Sequence, residues 1–273
     1  MTMEQTGPEA QEVIREQVRK RYGQIAAQGG CCSSSQGTAG CCGSSGGSCG
    51  GEGSQIGLEL GYSKENLASL PEGADLGLGC GNPAALASLQ PGQTVLDLGS
   101  GAGIDCFLAA QRVGSRGHVI GVDMTPEMVS KARENARRSG MEQVEFRLGE
   151  IEHLPVADRS VDVILSNCVI NLAPDKGQVY REAFRVLRPG GQFVVSDVVA
   201  TRPISEEERK DAALWSSCSS GALEVSQLQA LLEAAGFREV QIHPKVSETP
   251  LSSLAGQASI GVVSADIRAW KPG

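Results

Sequence analysis

The sequence lacks an excess of positive charge. Its 24 Lys and Arg stand against 32 Asp and Glu, for a formal charge of -8 and a pI near 5.1. Binding along a phosphate backbone needs clustered basic side chains, so nucleic acid is not expected as a partner. The short basic piece at 133–138 reads as a solvated helix face. No apolar run approaches the roughly 18 residues of a membrane-spanning helix. The opening MTMEQTGPEAQ has no basic stretch leading into an apolar core, so it does not read as a secretory signal. No membrane and a cytoplasmic location are the expectations. Histidine is scarce too: His118, His153 and His243 each read as structural or exposed, which leaves no histidine-based acid–base dyad. No unit of fixed length repeats.

What is present fits an ordinary globular protein. A chain of 273 residues, 40% hydrophobic and 21% charged, can hold one α/β core with additions. Nine cysteines are unusual for a reducing compartment, where thiols serve as core residues, ligands or redox groups rather than as a disulfide framework.

Composition divides the chain. Residues 9–28 carry Val13, Val18, Tyr22 and Ile25 among charges, which predicts one amphipathic helix in a segment 1–28, ending near Gly23 or just after. Residues 29–54 are almost all Gly, Ser and Cys and read as a flexible loop with little to bury. It holds Cys31, Cys32, Cys41, Cys42 and Cys49. A domain at 55–200 follows, then a cap region with the final strands at 201–273.

Within the domain, strand-like runs at 94–98, 118–123, 144–148, 161–166 and 192–199 alternate with helical periods at 104–112, 126–139 and 178–187. This predicts an α/β fold with a parallel sheet covered on both faces. RVLRPGGQFVVSD reads as a helix end, a Pro-Gly-Gly turn and a buried strand. Further on, 205–215 and 226–235 look helical, the second capped by Gly236, and 240–243 and 262–269 look like the last strands.

VLDLGSGAGID puts Gly99, Gly101 and Gly103 between a strand and a helix, where glycine lets the backbone turn and approach a ligand. The spacing is GxGxG, and Asp97 precedes it. A carboxylate there repels a pyrophosphate but suits the cationic amino acid end of S-adenosylmethionine. Asp123 ends the next strand, the place for an acid that accepts ribose hydroxyls.

These motifs resemble the class I S-adenosylmethionine-dependent methyltransferases over about residues 86–237. The resemblance implies a Rossmann-like seven-stranded sheet with an antiparallel last strand. It also implies that Met124 packs on adenine, that Glu150 and Ile151 of LGEIEHLP read its edge, and that Asn167 lies at the cofactor. The family usually has Asp where this chain has Glu150.

Fold alone does not choose the methyl acceptor. Cys168 in SNCVINL lies at the carboxyl edge of the sheet, Cys80 in the Gly-rich LGLGCGNP leading into the cofactor motifs, and Cys218 in WSSCSSGAL in the cap region. All three have small or polar neighbours, whereas Cys106 beside Phe107 and Leu108 reads as core. Three separated thiols around one methyl donor suggest a soft acceptor. Here the chain resembles the arsenite S-adenosylmethionine methyltransferases.

That resemblance implies As(III) held by Cys80, Cys168 and Cys218, with arsenite or methylarsenite as substrate. It implies a disulfide between Cys31 or Cys32 and Cys80, reduced by thioredoxin or glutathione. Cys41, Cys42 and Cys49 either trap extra arsenic or have no function. Zinc is disfavoured, since the CC pairs lack CxxC spacing and no histidine is close. Two alternatives stay open: a methyltransferase of a small organic acceptor such as a quinone or sterol precursor, and a non-enzymatic metalloid binder using the Cys-rich arm.

Overall fold

The computed structural model describes residues 7–28, 57, 58, 60–216, 218–245 and 261–273. The Cys-rich loop, with Cys31, Cys32, Cys41, Cys42 and Cys49, lies outside the described residues.

Strands β1 (Thr94–Leu98), β2 (His118–Asp123), β3 (Val144–Leu148), β4 (Val161–Asn167) and β5 (Leu187–Ala200) are parallel neighbours in the order β3-β2-β1-β4-β5. A two-residue β6 (Leu223–Glu224) pairs the end of β5. The sheet ends in β7 (Arg238–Pro244) and β8 (Val262–Trp270), and β8 is antiparallel to both β5 and β7. The order β5-β8-β7 is the seven-strand arrangement with an antiparallel last strand that was expected.

Helices cover both faces, and the strand period of two decides which residue meets which helix. Val95 joins Val163, Leu165 and Val194 under α4 (Ile104–Val113) and α5 (Pro126–Ser139). Leu96 and Leu98 point the other way, toward α6 (Lys176–Val186) and α9 (Val225–Ala235). Buried on both sides, these strands read as near-continuous apolar runs, as parallel sheets require. The remaining helices are short apart from the first: α1 (Pro8–Gln28), α2 (Lys64–Ala68), α3 (Pro83–Leu86), α7 (Glu206–Lys210) and α8 (Ala212–Ser216).

Three local expectations are corrected. Helix α1 does not end near Gly23 but continues to Gln28. A Cβ at Gly23 would sit 3.2 Å from Glu127 Oε2, so this glycine serves close approach to α5 rather than termination. The Pro-Gly-Gly stretch is not a turn before the strand. It is a bulge within β5, since Leu187 pairs Val161 and Gln192 pairs Val163, extruding the residues between. The single helix at 205–215 is two: Asp211 leaves helical geometry at ψ 108 and separates α7 from α8. Gly236 does cap α9, in the left-handed region at φ 110.

Candidate active site

The turn after β1 is built on left-handed glycines, Gly99, Gly101 and Gly103, at φ 68, 52 and 102. Their reasons differ. A Cβ at Gly99 would meet Val169 at 2.4 Å, and one at Gly103 would meet Phe107 at 2.7 Å and Phe146 at 2.8 Å. Those two positions are closed by packing. At Gly101 nothing lies within 4 Å, so the turn faces open space there. Beside it, the buried Ser100 hydroxyl has no hydrogen-bond partner among the described residues. Asp123 accepts the Gly101 amide at 2.9 Å and the Thr125 amide at 2.8 Å, which fixes its carboxylate against the turn.

Asp97 and Asp105 are both 2% exposed. Burial, then repulsion from Asp105, holds the Asp97 carboxyl well above the usual range, and no cationic side chain among the described residues offsets it. Burial pushes Asp105 up to about 6, although Tyr62 Oη donates to it at 3.0 Å. Buried like charges without a counterion are costly. A ligand that brings positive charge, as the ammonium and sulfonium of S-adenosylmethionine do, supplies what this cluster lacks. Asp105 and Tyr62 were not singled out from the sequence, although Asp105 stood as the one charge opening an apolar helix.

Asn167, expected at the cofactor, uses its amide within the chain. Its Oδ1 accepts the Cys80 amide at 2.8 Å, and its Nδ2 lies 2.7 Å from Gly81 O, 3.0 Å from Tyr62 Oη and 3.3 Å from Asp105 Oδ2. Ser264 Oγ donates to the Cys80 carbonyl at 2.7 Å. A Cβ at Gly79 would meet the Asn167 amide at 2.9 Å, and one at Gly81 would meet Ser196 Oγ at 2.6 Å. The glycines flanking Cys80 therefore let its loop press onto the sheet edge.

The structure brings Cys80, Cys168 and Cys218 together, with Cys80 and Cys218 buried and Cys168 half-buried against them. The sulfur atoms of Cys80 and Cys168 and a carboxylate oxygen of Asp197 lie within 4.8 Å of one another. Cys218 Sγ donates to the Cys168 carbonyl at 3.1 Å, and Cys168 shares hydrogen bonds with both other thiols. Those bonds, with burial, push the Cys168 thiol well above its usual range. Burial raises Cys80. Cys168 and Cys218 have φ of 60 and 61, a region that costs a residue with a Cβ about 1–2 kcal/mol. Two of the three converging thiols thus sit on disfavoured backbone.

Polar groups line this pocket from below. Asp197, pushed up to about 6 by burial, accepts Asn171 Nδ2 at 2.8 Å and the Val198 amide at 2.8 Å. The buried Lys176 ammonium, lowered to about 8 by burial, lies 5.0 Å above the Trp215 ring. Asp197 was legible as the lone charge in the apolar run of β5; nothing in the sequence marked Lys176.

Helix α1 closes the other side. Val18 is buried in the thiol cluster, and Ile14, Tyr22 and Met124 pack against it. Burial, followed by the facing thiols of Cys218 and Cys168, raises the Tyr22 phenol well above its usual range. Arg21 donates to Ser216 Oγ at 3.0 Å. Glu150 is engaged by Arg19 at 3.0 Å and Arg15 at 3.5 Å, while Glu152 holds Arg15 at 3.2 Å. Ile151 is buried in the main core.

The other singled-out residues stay apart from the thiols. Cys106 is fully buried under α4 and donates to Asp97 Oδ2 at 3.3 Å. His118 pairs with Glu145 at 2.9 Å between β2 and β3, and His153 and His243 are exposed. Among the described residues no helix is long and apolar enough to cross a membrane.

Known proteins are similar to this chain in sequence and fold. The family described as "Methyltransferase domain" matches residues 89–236. The arsenite methyltransferase of Halobacterium salinarum is 52% identical over 265 residues, which cover 96% of this chain and 67% of that protein. The human arsenite methyltransferase is 43% identical over 152 residues, 52% of this chain and 40% of that one. Among solved structures, an arsenic(III) S-adenosylmethionine methyltransferase from Chlamydomonas reinhardtii matches with a TM-score of 0.60 at 33% identity, over 80% of this chain and 73% of that one. With the methyltransferase-domain match over residues 89–236 and 52% identity to the halobacterial protein over 96% of this chain and 67% of that one, this chain belongs to the arsenite methyltransferases within the S-adenosylmethionine-dependent methyltransferase family.

Proposed function

We propose that the chain transfers a methyl group from S-adenosylmethionine to trivalent arsenic held by the thiolates of Cys80, Cys168 and Cys218. The observation that carries this reading is the meeting of three thiols from distant segments beside the cofactor turn. Arsenite takes up thiols by exchange: each As–O bond is replaced by an As–S bond, and the thiol proton leaves with the hydroxide as water. Thiols that burial and their neighbours keep protonated suit that exchange, because no free thiolate has to be stored in the pocket.

The cofactor supplies an electrophilic methyl on a sulfonium. The residues' part is to bind and orient. The Gly101 face of the turn and the Ser100 hydroxyl receive the amino acid end, Asp97 and Asp105 balance its charge, and Asp123 stands at the ribose. Met124 and Ile151 flank the adenine slot. Glu150, tied to Arg15 and Arg19, contributes to that slot as part of the loop that α1 pins.

Arsenic bound by three thiolates keeps a lone pair, which forms the As–C bond as the donor's C–S bond breaks. No base is needed, which fits histidines that lie away from the pocket. Positioning and exclusion of water are the protein's contribution. The transfer takes two electrons from arsenic, and two cysteine thiols return them by forming a disulfide. Cys31 or Cys32 with Cys80 is the proposed pair, and thioredoxin or glutathione the reductant. That need for reduced thiols favours the cytoplasm. Residues 29–54 form the arm carrying the second thiol, 55–200 the cofactor domain and 201–273 the cap.

The test is methylation of arsenite with cofactor and a thiol, comparing wild type with Cys80→Ser, Cys168→Ser and Cys218→Ser. Each variant should lose arsenite methylation and keep cofactor binding. Full activity of Cys168→Ser would reject the ligand set and favour an organic acceptor.

A further inference from the structure

We propose that Cys80, Cys168 and Asp197 form a site for a thiophilic divalent cation of the Zn2+ class, and that this cation and arsenite exclude one another from the pocket. The metal site stands on geometry; the exclusion rests on the function just proposed, since it takes Cys80 and Cys168 as arsenic ligands.

The ligand set differs from the one that holds arsenic. One sulfur each from Cys80 and Cys168 and one oxygen of Asp197 lie within 4.8 Å of one another, and Cys218 is outside that group. A tetrahedral zinc ion, with bonds of about 2.3 Å to sulfur and about 2.0 Å to oxygen, holds such atoms about 3.5–3.8 Å apart. Closing onto the ion therefore asks for shifts of about 1 Å, which side chains supply by small rotations. Zinc accepts thiolate and carboxylate together, whereas trivalent arsenic is the softer centre and selects sulfur. None of the CC pairs of the arm takes part.

The three side chains hang from one fixed edge of the sheet. The Cys168 amide donates to the Ser196 carbonyl at 2.8 Å, one residue before Asp197. The Cys80 loop presses on the same Ser196, whose Oγ would lie 2.6 Å from a Cβ at Gly81, and Asn167 and Ser264 hold its main chain. The Asp197 carboxylate is oriented by the Asn171 side chain at 2.8 Å, the Asn171 amide at 3.2 Å and the Val198 amide at 2.8 Å. Ligating carboxylates have this kind of outer support.

Charge fits as well. Two thiolates and a carboxylate around a divalent ion leave one negative charge. The buried Lys176 ammonium stands close by to balance it, donating at 3.2 Å to the carbonyl of Asn171, whose side chain holds Asp197. As the ion enters, it takes the place of the two thiol protons, which pass to solvent. Arsenite then finds only Cys218 free.

The experiment uses the full chain with Cys31, Cys32, Cys41, Cys42 and Cys49 replaced by serine, which removes competing thiols of the arm. Zn2+ is titrated alone by calorimetry with a phosphine reductant, and arsenite binding is read from the ultraviolet absorption of arsenic–thiolate bonds. Asp197→Asn should weaken Zn2+ binding at least about tenfold and leave arsenite and cofactor affinity within about twofold. Cys218→Ser should do the reverse, losing arsenite and changing Zn2+ less than Asp197→Asn does. Saturating Zn2+ should weaken arsenite binding more than about tenfold. X-ray absorption of the zinc-loaded chain, which needs no change at position 197, should count two sulfur and two oxygen neighbours, the second oxygen a water. A count of three or four sulfurs, or unchanged Zn2+ affinity in Asp197→Asn, overturns the inference. So does an Asp197→Asn variant that loses arsenite and cofactor as much as zinc, because the carboxylate is then a prop of the whole pocket. Arsenite binding without Zn2+ binding overturns this inference alone. Zn2+ binding without arsenite binding overturns the proposed function and the exclusion, and leaves the metal site standing.

Discussion

The thiol of Cys218 reaches the main-chain carbonyl of Cys168 at 3.1 Å across 50 positions of sequence, and both residues hold a left-handed backbone. The bond ties the cap to the edge of the sheet. It also means that two of the three sulfur atoms are placed by backbone conformations a residue with a Cβ disfavours.

That strain is measurable. At Cys168, glycine should be the more stable of two truncations: Cys168→Gly is expected to exceed Cys168→Ala by about 1 kcal/mol, because only glycine adopts φ near 60 without penalty. Urea unfolding of the two variants decides it. An alanine variant equal to or more stable than the glycine variant would mean the backbone relaxes once the thiol is gone.

The glycines of the cofactor turn should separate stability from binding. Gly103→Ala forces a Cβ to within 2.8 Å of two phenylalanine rings and should destabilise the protein by about 2–4 kcal/mol from overpacking and backbone strain. Gly101→Ala meets no protein atom within 4 Å, so only the left-handed cost of about 1 kcal/mol applies. Its cofactor affinity should nevertheless fall more than tenfold, as the new methyl enters the open face. Thermal melts and calorimetry on the pair check both halves.

Asp105 predicts a pH dependence. Its folded value of about 6 lies above the ordinary 3.8, so the folded state holds the proton more tightly than the unfolded chain. The stability it contributes is present below about pH 4 and is lost as pH rises through about 6, amounting to about 3 kcal/mol in full. Asp105→Asn should therefore raise stability at pH 7.5 by about 1–3 kcal/mol, with little gain at pH 4. The same variant should bind S-adenosylmethionine at least about tenfold more weakly, for want of the negative charge. Denaturant curves at the two pH values, with calorimetry at 7.5, test the prediction; no difference between the pH values would sink it.

Asn167→Ala removes the amide that joins the Cys80 loop to Tyr62 and Asp105. A loss of about 2–4 kcal/mol is expected, since the Cys80 amide and Gly81 carbonyl are left without their partner. Cys80 should then react faster with iodoacetamide than in wild type, as its loop lifts from the sheet edge. Site-resolved mass spectrometry reads that rate, and unchanged protection of Cys80 would show that Ser264 alone holds the loop.

Much of this protein could be read from residue order. The five parallel strands, the glycine turn and the acid ending β2 follow from local periodicity and turn chemistry, which neighbouring residues fix among themselves. The three thiols were recognisable by small and polar neighbours, which buried structural cysteines such as Cys106 lack. Tertiary structure decided the rest, because contacts across long separations leave no local trace. Gly23 looked like a helix end until the packing of α1 on α5 gave it another reason. Asn167 was expected at the cofactor, and only the fold showed that its amide also joins the Cys80 loop to Tyr62 and Asp105. The Asp97–Asp105 repulsion and the packing of Tyr22 against the thiol cluster arise only when β1, α4, α1 and the cap share one low-dielectric space, where the energy of a charge depends on what folding brings beside it.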